Sequence, residues 1–166
     1  MFTDMDNDNV ITFRPERRQF LADNLLMVVL LIILMILPGL DGVLPDYTRT
    51  PVLVLALIIL AVLACRYLAL RVLRYEITDE QLAYRHGILA ISQDYVELYR
   101  VTDYVEKRSF MQVILGLKTV CVLSGDQTTP KLDLTGLPAR MDVVSELRKR
   151  VEYNKKKKGV YEITNR

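Results

Sequence analysis

The apolar positions of this chain fall into two regimes. From Asn24 to Leu40 there is no charge, and Leu25–Leu37 holds eleven Leu, Ile or Val. A second run, Pro51 to Leu70, carries Arg66 as its only charge. Each is long enough to cross a bilayer core as a helix. At roughly −0.3 to −0.6 kcal/mol per Leu, Ile or Val near the bilayer centre, the first run favours insertion by several kcal/mol. Arg66 opposes insertion by roughly 2.5–3.5 kcal/mol at mid-membrane. It stands near the end of its run, where its long stem lets the guanidinium reach the interface. Two adjacent runs of this length do not suit a small soluble core, so the pattern predicts a membrane hairpin.

Beyond Leu73 the apolar positions switch to short alternations of period two, the spacing of half-buried strands. Arg74 to Thr78 reads as a strand and Thr78-Asp79-Glu80-Gln81 as a turn. Leu82, Tyr84 and His86 share one face of a returning strand that ends at Gly87. The next strand is predicted from Ile88 to Tyr99, and a change of parity between Leu89 and Val96 predicts a bulge near Ser92-Gln93-Asp94. Thr102 to Arg108 is a further strand, followed by a helical turn from Phe110 to Leu115 capped by Ser109 and closed by Gly116. Thr119 to Leu123 is apolar on both faces and so central, and Lys131 to Leu134 is the last strand. Leu137, Met141, Val144, Leu147 and Val151 then recur at helical spacing, with Pro138 in the first turn and Lys155 to Lys158 at the end, where cations suit the helix dipole. The predicted fold is a membrane α-helical hairpin plus a small α+β, mainly β, domain. Its strongly bent antiparallel sheet is capped by a C-terminal helix.

Charge sets the orientation. Arg14, Arg17 and Arg18 precede the first run, and Arg66, Arg71 and Arg74 border the end of the second. The connector from Asp41 to Thr50 sets Arg49 against Asp41 and Asp46. The positive-inside rule puts both termini in the cytoplasm. The first run does not read as a signal peptide: Asp4, Asp6 and Asp8 flank it, and Leu37-Pro38-Gly39-Leu40-Asp41 is no small-residue cleavage site. The chain divides into a cytoplasmic N-terminal tail (1–19), the hairpin (20–70), a cytoplasmic domain (71–154) and a basic C-terminal tail (155–166), with residues up to Arg14 read as loose chain. Cys65 and Cys121 offer neither a disulfide framework nor a zinc spacing, and read as buried apolar thiols.

Several segments resemble a known family. Tyr75-Glu76-Ile77-Thr78-Asp79-Glu80-Gln81-Leu82 directly after two spans, then Tyr84-Arg85-His86-Gly87-Ile88-Leu89, Leu98-Tyr99-Arg100-Val101 and Gly116-Leu117-Lys118-Thr119-Val120, are similar to the bacterial pleckstrin-homology-like (PH-like) domain of membrane proteins. The resemblance covers Arg71 to Arg150 and the hairpin before it. It implies two antiparallel sheets, or a partly open barrel, capped by the C-terminal helix. It implies no enzymatic activity and no cofactor, and a bacterial inner-membrane protein, with roles in envelope stress or resistance to membrane-active peptides among its members.

The residues name no reaction. His86 is the one histidine, and no positioned acid or nucleophile accompanies it in sequence. Gly87, Gly116 and Gly125 are isolated and form no phosphate cradle. The Asp4–Asp8 cluster lacks the glycine and closing glutamate of a calcium loop. The basic stretch Arg148, Lys149, Arg150 and Lys155, Lys156, Lys157, Lys158 is the candidate contact surface. Anionic phospholipid attracts such residues by about 1 kcal/mol each near a membrane surface. The expected partners are therefore the membrane, another membrane protein or a second copy, and anionic phospholipid. Nucleic acid is not among them, because the run lacks an aromatic platform beyond Tyr153 and Tyr161. Tyr75-Glu76-Ile77-Thr78 recurs as Tyr161-Glu162-Ile163-Thr164, a segment able to add to a sheet edge. The function expected is scaffolding by a membrane-anchored domain. The alternative is a subunit of a transport or envelope-defence complex whose spans do the work.

Overall fold

A computed structural model describes residues 10–40 and 43–160. The Asp4–Asp8 cluster and the Tyr161–Thr164 repeat lie outside the described residues. Helix α1 runs Arg18–Ile36 and ends in a 3-10 turn at Leu37–Gly39, where proline and glycine halt the ladder. Helix α2 runs Asp46–Val72, so it begins within the predicted connector. The two pack on each other. Their outer faces are apolar and exposed: 6% of the most apolar stretch of α1 is buried, and 11% of that of α2. A core helix of the same composition would be covered on every side. Both helices are long and apolar enough to cross a membrane.

Among the described residues, seven strands form two antiparallel sheets. The first has the order β1 (Ile11–Phe13), β2 (Arg74–Ile77), β3 (Gln81–His86), β4 (Ser92–Glu97). The second has the order β5 (Val101–Lys107), β6 (Leu117–Ser124), β7 (Lys131–Pro138). Short helix α3 (Phe110–Leu115) connects β5 to β6, and α4 (Val143–Lys157) closes the domain. The sheets do not join into a barrel among the described residues. Their inner faces and α4 share one core, including Tyr75, Leu82, Val96, Leu98, Val120, Leu134 and Leu147, each at most 1% exposed. The Tyr75 hydroxyl bridges the sheets by accepting from the Thr135 backbone N–H at 3.1 Å. A ladder of rings, Phe13, Tyr75, Tyr84 and His86, crosses three strands at centroid spacings of 5.3, 5.4 and 4.7 Å. Such cross-strand pairs pin register.

Direction along the sheets defines two ends. Strand β2 leaves α2 directly, and Arg74 pairs with Arg85. The near end therefore holds Gly87, α3 and the start of α1. The far end holds the Thr78–Gln81 turn, the 3-10 turn Leu98–Arg100 and the last turn of α4. The near end is bolted to α1. Glu16 N–H donates to Gly136 O at 2.9 Å. Gln112 Nε2 donates to Gln19 Oε1 at 3.0 Å and to Thr119 Oγ1 at 2.8 Å.

Four expectations change. Ile11–Phe13 is not loose chain but pairs with β2, because Phe13 buries its ring against Tyr75. The predicted bulge in a long Ile88–Tyr99 strand is instead a turn before β4, which accounts for the change of parity. Leu137 and Pro138 end β7, and α4 starts only at Val143, where Asp142 Oδ1 accepts from Ser145 N–H at 3.1 Å. Cys121 is buried, but Cys65 faces outward from α2.

Gly136 marks the joint. Its φ is +70°, and a Cβ there would lie 2.9 Å from Pro15 Cβ and 3.0 Å from Gln19 Cβ. Gly116, which closes α3, has φ +68° with nothing within 4 Å of such a Cβ. A side chain in this backbone region costs about 1–2 kcal/mol, and crowding adds about 1–3 kcal/mol. Gly136→Ala should therefore lower the thermal unfolding midpoint of the detergent-solubilised protein clearly more than Gly116→Ala. Equal losses would mean that the joint has room for a methyl group.

Candidate functional site

The far end gathers much of the basic stretch. Thr78 Oγ1 donates to Gln81 O and accepts from Gln81 N–H, both at 3.0 Å, which fixes the turn carrying Asp79 and Glu80. The last turns of α4 clamp that turn. Arg150 donates to Ile77 O at 3.0 Å and to Glu146 at 3.1 Å, with Asp79 3.8 Å away. Asn154, 1% exposed, donates to Asp79 O at 2.5 Å and Arg150 O at 2.8 Å. Lys157 donates to Glu80 Oε1 at 2.8 Å. This pairing holds the Glu80 carboxyl below its ordinary range and raises Lys157.

The seven basic residues singled out in the sequence do not form one patch. Lys149, Arg150 and Lys157 line an open cavity of about 560 Å³ with Asp79, Glu80, Tyr153 and Asn154. Arg148, Lys155 and Lys156 line a separate groove of about 410 Å³ along Val101–Tyr104. Lys158 lies 4.7 Å from the Tyr99 ring centroid, a cation–π contact at the helix end. The cavity thus presents both signs of charge with an aromatic ring beside them. Among the described residues no group of three or more His, Cys, Asp or Glu could hold a metal. His86 stacks on Tyr84, with Nδ1 3.8 Å from Asp94, in the ring ladder rather than beside a nucleophile.

A second polar group escaped the sequence reading. Asn24 and Gln19 are 5% and 2% exposed on α1, and Gln112 is 5% exposed on α3. Arg66 of α2 donates to Asn24 Oδ1 at 2.8 Å, and Gln19 Nε2 donates to Asp23 Oδ1 at 2.7 Å. Asn24 opens the first apolar run, and Arg66 is the one charge in the second, near its end. Those positions are the one signal that could have paired them.

Tyr104 faces the groove beside Arg148 and Glu152. Burial above all, with Arg148 opposing and Glu152 and Asp103 adding to it, pushes its phenol up to about 12. Its hydroxyl has no partner among the described residues. The native phenol ionises later than the unfolded one. The associated stability is thus complete below pH of about 10 and is lost as pH rises towards 12. Tyr104→Phe should change stability by less than about 0.5 kcal/mol at neutral pH. It should also flatten part of the alkaline loss, read from denaturant unfolding between those pH values. An unchanged alkaline slope would remove Tyr104 as a cause.

No curated protein and no solved structure matches the chain. The bacterial PH domain family matches it over residues 20–155, a stretch that takes in both long helices, all strands after β1, and α4 as far as the first lysine of its closing run. The chain belongs to the bacterial PH domain family.

Proposed function

We propose that this protein is a non-catalytic interaction module anchored in the bacterial inner membrane, with α1 and α2 as a two-span hairpin and both termini in the cytoplasm. The observation that carries the reading is polarity along one axis. Two exposed apolar helices lie at one end, and a mixed-charge cavity at the other, away from them. A contact surface at that far end favours another protein as its partner over the bilayer that the helices would cross. Strand β2 runs about 13 Å between the end of α2 and the turn that carries Glu80, more than a Debye length at physiological salt. Anchoring raises the effective concentration of partners in the same membrane, so weak contacts suffice. Envelope stress or resistance to membrane-active peptides is the setting in which such a scaffold would act.

The rival, a subunit whose spans carry the function, draws on the exposed outer faces of α1 and α2, which could pack against further helices. Replacing the outward residues of both helices by leucine separates the two. Binding of partner proteins is retained if the domain does the work and lost, with normal insertion, if the spans do.

Topology is tested by cysteine labelling. In a Cys65→Ser, Cys121→Ala background, Tyr47→Cys should react with an impermeant maleimide on intact cells, whereas Lys156→Cys should react only after disruption. The reverse pattern would overturn the reading. A photo-crosslinking residue at Tyr153 should capture a discrete protein in membranes, and Lys149→Glu with Lys157→Glu should abolish the product. Crosslinks to phospholipid alone would replace the protein partner with the bilayer.

A further inference from the structure

The turn between β3 and β4 has the wrong chemistry for water. A hairpin connection in solvent takes Gly, Asn or Asp, which suit tight turns and are readily hydrated. Here Gly87 is followed by Ile88-Leu89-Ala90-Ile91. Leu89 is 102% exposed, Ile91 58% and Ile88 42%. Exposed apolar side chains clustered in this way call for a partner.

The register says where the tip is. Arg74 pairs with Arg85, so His86 comes level with Leu73 and the tip runs back alongside the last turns of α2. His86 and Gly87 line one cavity with Asn24, Arg66, Ala69 and Leu70. The tip therefore lies at the level where the apolar runs of α1 and α2 give way to charge. Arg71 and Arg85 are exposed close by, as anionic headgroups would favour. On the other side of the domain, α3 packs against α1 and leaves Phe110, Val113 and Ile114 75%, 61% and 62% exposed.

We infer that Ile88-Leu89-Ala90-Ile91 enters the interfacial layer of the bilayer crossed by α1 and α2, as a third membrane contact that holds the near end of the first sheet at the lipid surface. This rests on the two-span reading. Depth follows from the neighbours: Ala69 and Leu70 are four residues or fewer past Arg66, about one helical turn, so the tip reaches the headgroup–acyl boundary and no deeper.

The chain has no tryptophan, so a single Leu89→Trp substitution supplies a unique fluorophore at a position open enough not to disturb folding. The full-length variant is reconstituted in phosphatidylglycerol–phosphatidylethanolamine vesicles. Its emission should shift to the blue, resist aqueous acrylamide and be quenched by lipid brominated near the carbonyl end of the acyl chain. A Val54→Trp variant, at mid-α2, should be quenched best by deeply brominated lipid. Water-like emission from Leu89→Trp with normal Val54→Trp quenching overturns the third contact and spares the hairpin. Blue emission from Leu89→Trp without bromolipid quenching also overturns it, because protein then covers the tip. Failure of Val54→Trp quenching overturns both readings.

Discussion

One side chain holds this architecture at its joint. Gln112 Oε1 accepts from Ser109 N–H and so caps α3, while Nε2 donates to Gln19 on α1 and to Thr119 on β6. Three elements meet on one amide, and α1 reaches it from 93 residues away in sequence. An unmade bond in a buried amide costs about 1–3 kcal/mol, so loss of any partner is felt by all. With Gly136 pressed against Pro15 and Gln19, the amide fixes the second sheet to the first turn of α1. The domain is therefore not a globule on a flexible stalk. Its direction relative to the helices is set by packing.

That fixed direction makes the two ends of the domain different. The near end combines exposed apolar residues with arginines, and the far end pairs acids with lysines around a cavity. Members of a fold family can carry unrelated functions on one scaffold, so family membership says little here about what is bound. The axis says more, since it sorts the surface into a part beside the apolar helices and a part turned away from them.

Much of the fold was legible in the sequence. The Leu25–Leu37 run, the cap and stop at Ser109 and Gly116, and the apolar Thr119–Leu123 segment each declare themselves by period or by turn chemistry. Strand β1 was not legible, because three residues hold too little pattern and their pairing with β2 is set by Phe13 meeting Tyr75 across the whole hairpin. The start of α4 is not legible, because Leu137 fits a strand and a helix face equally well. The basic stretch was visible as composition, but its division between two grooves depends on which face of α4 each residue takes, and on Asp79 and Glu80 waiting at the turn opposite. The Gln19–Gln112 contact was invisible, since an amide in a polar flank carries no periodic signal.

The pairing of β1 with β2 has a consequence for how the molecule is made. One strand precedes α1 and the other follows α2, so Ile11 and Ile77 meet only after everything between them has been synthesised. The ribosome releases β1 first, and it stays without its neighbour until both long helices and β2 have followed. The strand made first thus waits for one made after both long helices, and the first sheet gains its edge only when that partner arrives.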